Sequence, residues 1–582
     1  MKILLALLLS LLTFPAWAQT GVWSSKTASY DAAVQKLMKR WKIPGASVAI
    51  SKQGKLVYAR GFGYSDLARS QAMTPATLMR VASVSKPVTS VAIMKLVEDG
   101  QLTLQHNVFG PTGYLQEPYY TDLITDQRIY TITVRQLLEH TAGWNRDAGV
   151  DGFSNSDPID FPLHVAQVMQ APNPVGDSTL IRYLLSKELN FAPGSRFAYS
   201  NIGYLILGKV IEKVTGQRYE TWVRSHILEP VGILEAHLGR NLLADKRENE
   251  SEYSCPLTGE SCYGTGKRVP YAYGGANLEA MNAHGGWLFT ARDLVRFLLA
   301  VDGLATTPDL LLPATLDTMT TPSEATKRYA KGWMVNKRGV WWHTGCLNGS
   351  TSIVARTADG YTWAILLNSC PNTNRFWNDV EGLGWDCLNS TATWPTYNLL
   401  PPEQNASLLR LTHDTPRSAT LTWKNGNGTH RLVVVSEGAP VTRFPIEGRA
   451  YAGGRTFGHG ASLGEGTYVV AAGPDSVVQV TGLQAGHTYY ARVMEYRFDE
   501  QVGMAPVYTF DGNPVLRFQL PAAAPLARSK PRLGTRNKIT AGKIRTKKPA
   551  GLPKVSPTST PAAGSQASYL GRIRALLAWP KQ

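Results

Sequence analysis

Strand-like runs stand at both ends of a long helical stretch, and that order limits the folds open to this chain. Residues 46–51 and 56–64 are β-rich and joined through Gln53-Gly54, which predicts a hairpin. Helical spacing dominates from about 85 to 305, and strand-like runs return at 339–344, 350–356 and 361–368. Asp359-Gly360 reads as a tight turn between the last two. Strands this far apart are satisfied by a single antiparallel sheet that both ends share, flanked by helices. The expectation is therefore an α/β fold with a mostly helical subdomain. Ahead of the hairpin, residues 28–41 carry Val34, Leu37, Met38 and Trp41 at i, i+3, i+4, i+7 spacing. This predicts an amphipathic helix stopped by Pro44-Gly45.

From about residue 401 the texture changes. Short alternating runs at 419–423, 431–436, 468–472, 477–480 and 488–496 are separated by Gly/Asn/Asp turns. They predict a β-sandwich over 401–520 beside a first domain over 28–395. The chain has 582 residues, too many for one core. Its formal charge of +17 is unevenly placed: residues 521–582 hold thirteen Lys/Arg and no Asp or Glu, and without them the chain stands at +4. The basicity belongs to an Ala/Pro/Ser/Lys-rich tail with too little apolar content to fold alone, so a disordered basic tail is expected. No nucleic-acid partner is expected, because the tail lacks a reader module. Its last stretch interleaves Tyr569, Leu570, Ile573, Leu576 and Leu577 with Arg572 and Arg574. This reads either as a solvated end or as a short basic helix adhering to an anionic envelope surface.

Lys2, the apolar run from Ile3 to Leu12 and the ending Ala16-Trp17-Ala18 read as an export signal over residues 1–18, which implies a periplasmic or secreted chain. About ten apolar residues are too few to span a bilayer, and no later stretch approaches that length. No transmembrane segment is expected once the signal is removed. In that compartment five cysteines permit disulfides. Cys255 and Cys262, in a polar Gly-rich segment, are expected to staple a loop, while Cys346, Cys370 and Cys387 leave at least one thiol unpaired. CxxC, HExxH and tight His/Cys clusters are absent from the sequence, so neither a metal nor another cofactor is expected.

The chemistry is carried by three short segments. Ser83-Val84-Ser85-Lys86-Pro87 precedes a run, Val88 to Val97, that is apolar almost all round and calls for a buried helix. Three residues make nearly one helical turn, so Ser83 and Lys86 share a face, while Ser85 points elsewhere. A serine hydroxyl is a weak nucleophile without a base in reach, and an ammonium desolvated at a buried helix loses its proton more readily. A capping serine beside a solvated lysine would spell the same four letters. Two later segments change that weighting. Tyr199-Ser200-Asn201 stands in a loop before the apolar helix 202–214, placing a phenol for proton relay next to an amide for orientation. Trp342-His343-Thr344-Gly345-Cys346 puts a small polar triplet on a strand. There Gly345 is expected to let a substrate lie against the edge, and the backbone N–H groups of Ser83 and Cys346 to form an oxyanion hole. Glu139-His140, at the end of a helical segment, reads as structural.

With S-x-x-K at 83–86, Y-x-N at 199–201 and H-T-G at 343–345 in this order, residues 28–390 resemble the serine β-lactamase and penicillin-binding-protein superfamily. The branch is that of class C β-lactamases, D-aminopeptidases and esterases. Residues 132–143 and 285–294 are also family-like. The resemblance implies that Ser83 attacks an amide, ester or lactam carbonyl while Lys86 accepts its proton. It further implies that Tyr199 passes a proton to the leaving group and that Asn201 holds substrate and Lys86. His343 and Thr344 would contact the carboxylate side of the substrate, and water would release the acyl-enzyme. Class C enzymes carry lysine where this chain has His343, and a mostly neutral imidazole is a weaker carboxylate anchor. Cys346 replaces the small residue usual after the triplet. Residues 401–520 resemble fibronectin type III domains through 419–423, 425–428 and 480–490.

The expectation is thus an exported serine hydrolase. Small peptide, ester or lactam substrates are implied, with D-amino-acid peptides and esters favoured. A true β-lactamase and a non-catalytic cell-wall binding protein are the alternatives.

Overall fold

The computed structural model describes residues 18–522, apart from Glu447, Glu465, residues 501–503 and Asp511. Residues 1–17 of the expected export signal, and the basic tail from 523 on, lie outside the described residues.

The two ends of the first region meet in one antiparallel sheet, as the strand spacing predicts. Its strands are β1 (Gln19–Gly21), β2 (Gly45–Lys52), β3 (Lys55–Gly63), β4 (Met334–Val335), β5 (Trp341–Leu347), β6 (Ser350–Arg356) and β7 (Tyr361–Leu367), in the order β1-β3-β2-β7-β6-β5-β4. The join between early and late chain is β2 against β7, with Val48 opposite Ile365. Gln53 and Gly54, both at positive φ (50° and 76°), make the two-residue turn between β2 and β3.

Both faces of this sheet are buried, and the period of two sorts its side chains. On β7, Trp363, Ile365 and Leu367 enter one core with α1 (Ala28–Trp41) and a C-terminal helix, Asn374–Ser390. Ala364 and Leu366 enter the other core, which holds most of the helical middle. That middle is built around α2 (Ser85–Glu98), whose Val88, Val91, Ala92, Ile93 and Leu96 are all buried, as an all-round apolar helix requires. Against it packs α3 (Asn201–Thr215), capped by the Ser200 hydroxyl and closed by Gly216 in the left-handed region. Among the described residues no helix is long and apolar enough to cross a membrane.

The C-terminal residues form two facing sheets, consistent with a β-sandwich. Ser407–Thr415, Ser418–Lys424 and Val477–Thr481 make the smaller one. The larger runs Ser462–Gly464, Thr467–Gly473, His430–Glu437, Thr488–Asp499 and Met504–Tyr508, with Val515–Gln519 also pairing to Thr488–Asp499. Between them lie Leu421, Trp423, Val433, Val435, Val478, Val480 and Val493. The Tyr489 hydroxyl accepts a hydrogen bond from the Gln484 N–H (2.9 Å), a tyrosine corner at the start of a long strand.

These sheets are docked on the first region. Met504 and Val507 join the main core with Leu399 and Leu400. The Phe510 N–H donates to Glu235 Oε1 (2.8 Å), the Arg292 guanidinium lies 5.3 Å over the Phe510 ring, and Arg296 donates to Pro401 O.

The expected Cys255–Cys262 staple is not formed, and all five cysteines are free thiols. Between them Thr258–Glu260 runs out as a strand paired to Arg268–Pro270, which carries the two ends apart. Cys255 turns to Leu257 O and Cys262 to Ala276 O.

Candidate active site

Ser83 lies in a single tight turn, Ala82–Val84, that leads into α2. The segment before it is stitched to the sheet: the Ser350 hydroxyl donates to Arg80 O, and the Ser352 hydroxyl donates to Val81 O (2.6 Å). Ala82 is held at φ +49°, a strained conformation for a residue with a side chain, immediately before Ser83.

Lys86 is fully buried one turn on. Its Nζ lies 3.0 Å from Ser83 Oγ, 2.8 Å from Asn201 Oδ1 and 3.0 Å from His284 O. Burial holds its pKa well below the ordinary lysine value; the nearby Arg146 charge pushes the same way and Asp157 opposes. As a neutral amine, Lys86 keeps two N–H donors for Asn201 and the His284 carbonyl and turns a lone pair toward Ser83.

The Tyr199 phenol is hydrogen-bonded to Ser83, and its ring lies 4.8 Å from Lys86 Nζ. Burial raises its pKa above the ordinary phenol value, with the Ser83 bond and the Arg146 charge opposing, so the phenol stays protonated at neutral pH. Asn201 is the first residue of α3. Its Nδ2 donates to Asp157 Oδ2 (2.6 Å), which fixes which end of the amide faces Lys86.

The strand triplet lies on β5, whose outer edge is paired by β4 only at Trp341 and Trp342. His343 is buried and turned inward. Burial first, and then the Lys86 charge, push its pKa down to about 3. Its Nδ1 lies 2.7 Å from Thr344 O, so that nitrogen carries the proton, and Nε2 accepts from the Tyr329 hydroxyl (3.3 Å). Tyr329 also meets His140 Nε2 (3.2 Å), while His140 Nδ1 accepts the Ser200 N–H (3.1 Å). The tautomers agree along this line. Ser200, His140, Tyr329, His343 and Thr344 form one neutral chain that ties the Y-x-N loop to the triplet strand.

Gly345 serves differently from the sequence expectation. It is buried, and a Cβ there would lie 2.3 Å from both Ser352 Oγ and Val81 O and 3.1 Å from Ala82 Cβ. The missing side chain admits the Ser83 segment, not a substrate. Cys346 packs its side chain toward the core of α1, on the far face of the sheet, where its thiol is hydrogen-bonded to Cys370. Thr344 is partly exposed, as are Ser83, Tyr199 and Cys346.

Sequence reasoning missed Asp157, Arg146, Tyr329 and His284, and gave His140 no place at the site. His284 contributes only its carbonyl, and no residue-type pattern marks a carbonyl. Asp157 and Arg146 come from the 144–190 loops, whose conformation no local spacing reveals.

The sequence profile of the family described as Beta-lactamase matches residues 30–380 of this chain. The chain belongs to the beta-lactamase family. The Staphylococcus aureus (strain MW2) protein flp is 31% identical to it over 202 residues, 34% of this chain and 36% of that protein. Esterase EstB of Burkholderia gladioli is 31% identical over 219 residues, 36% of this chain and 51% of the esterase. The chain thus spans about a third to a half of the length of these curated relatives. Among solved structures, a D-amino acid amidase from Ochrobactrum anthropi SV3 shares 20% identity at a TM-score of 0.46, over 63% of this chain and 100% of that one. A class C beta-lactamase shares 20% at 0.47, over 64% and 97%.

Proposed function

We propose that this beta-lactamase-family protein is an exported serine hydrolase that cleaves ester or amide bonds through an acyl-enzyme on Ser83, with D-amino-acid peptides and esters as the favoured class. The observation that carries this reading is Lys86: buried, held below its ordinary pKa and 3.0 Å from the Ser83 hydroxyl. The neutral amine takes the Ser83 proton as Oγ adds to the carbonyl. The backbone N–H groups of Ser83 and Cys346 face the developing oxyanion. Tyr199, bonded to Ser83 and protonated, passes a proton to the leaving group, and Asn201 keeps Lys86 in line. Water then attacks the acyl-enzyme by the same groups in reverse.

The names of two similar proteins, an esterase and a D-amino acid amidase, support this class. The buried, neutral His343 supports ester or amide work over efficient lactam hydrolysis, because it offers no cation to a lactam carboxylate. Export rests on the segment up to Ala18. The three-stranded and larger facing sheets with a tyrosine corner support a fibronectin type III-like module at the C-terminus.

Intact-protein mass after brief incubation with a penicillin and an activated ester tests the reading. A single acyl adduct that is absent from Ser83→Ala is expected, and its mass identifies the donor. No adduct and no product in the same tube would reduce the reading to a statement of fold.

A further inference from the structure

Around Ser83 one permanent cation is uncommitted. Lys86 spends its donors on Asn201 and His284 O, and His343 and His140 are neutral. Arg146 is different. Its guanidinium makes no hydrogen bond and no ion pair among the described residues, although it is largely buried. It sits 5.9 Å from the centre of the Tyr199 ring, and its charge is felt at Lys86 and His140.

The acidic groups that face Arg146 favour its charge and together outweigh its burial, yet none of them forms an ion pair with it. Asp157 gives Oδ2 to Asn201, and burial first, then the Asp157 charge, hold the Asp160 carboxyl up at about 7. Asp147 adds a weaker attraction. The backbone beneath is held fast. Arg146 O accepts the Ser156 N–H (3.0 Å), Asn145 O accepts the Ser156 hydroxyl (2.8 Å), and the Asn145 N–H donates to Asn190 Oδ1 (2.8 Å). A planar fork of five donors, on a fixed backbone and without a hydrogen-bond partner among the described residues, is open to a two-point bond with an anion from outside. The residue, like Ser83, Tyr199 and Thr344, is partly exposed.

We propose that Arg146 is a specificity-determining residue that grips a carboxylate of the substrate, so that the acyl donors Ser83 prefers carry a free acid group. This rests on the serine hydrolase reading given above. The contact lies on the Tyr199 side of the site.

Two esters of equal length, p-nitrophenyl valerate and p-nitrophenyl hemiglutarate, differ in the terminal carboxylate alone. The ratio of kcat/KM for the acid over the neutral ester is expected to fall about tenfold or more in Arg146→Gln, through KM, and to recover in part in Arg146→Lys. A ratio that does not change, whether both esters slow together or neither does, overturns the proposal, since Arg146 would then only tune Lys86 and Tyr199. Calorimetry with free glutarate separates this from the serine reading. Ser83→Ala is expected to bind glutarate and Arg146→Gln to lose it, even if neither ester is turned over. Equal glutarate binding by wild type and Arg146→Gln also overturns the proposal.

Discussion

Lys86 is the residue on which the proposed chemistry turns, and its environment gives a signed expectation for pH. A base whose pKa is lowered is deprotonated at lower pH than an ordinary lysine. The rate of Ser83 acylation is therefore expected to rise with pH through the lowered Lys86 value and to level off well before the ordinary lysine range near about 10.4. Burst kinetics across pH read this directly, and a rate still climbing through that range would mean that Lys86 is not the base. Lys86→Arg, which cannot lose its proton, is expected to slow acylation by about 10²–10⁴-fold.

At the scale of elements, the same Gly→Ala change has opposite expected signs at two positions. Gly345 lies in β5, and its Cβ would meet Ser352 Oγ and Val81 O, one of them backbone. Gly345→Ala is expected to cost about 1–3 kcal/mol or more and to displace the Ser83 turn. Gly382 lies within the helix Asn374–Ser390 with open space around its Cβ position. Gly382→Ala is expected to gain up to about 1 kcal/mol, because alanine has the higher helix propensity. Denaturant midpoints of the two variants check both signs, and equal effects would contradict the packing described for β5.

At the scale of the whole molecule, the C-terminal sheets share a core and buried charges with the first region. Glu235, whose Oε1 accepts the Phe510 N–H, is also paired to Arg292 (3.4 Å), and both side chains are buried. Glu235→Ala removes one buried partner of Arg292 and the acceptor of the Phe510 N–H, and is expected to cost about 1–3 kcal/mol. Calorimetry of the protein is expected to show one cooperative transition for the two regions in the wild type, and a lowered or divided one in Glu235→Ala. Two separate wild-type transitions would mean that the sheets fold without the first region.

Periodicity was enough to predict the shared sheet, the buried helix after Ser83 and the change to alternating strands near 401. Each depends on local spacing of apolar residues, which burial on a helix or strand imposes directly. The order Ser83, Lys86, Tyr199, Asn201 and His343 was also legible, because the family resemblance is carried by short segments. Tertiary structure decided the rest. The inward turn of His343 depends on Tyr329, fourteen residues earlier, and on His140 from another element. Gly345 is required by Ala82 and Val81, which only the fold brings to it. Cys255 and Cys262 look pairable at seven residues apart, yet a strand pairing between them separates the thiols. The unpaired guanidinium of Arg146 is a property of no local pattern at all. Whether a charge finds a partner is settled by what every other element places around it.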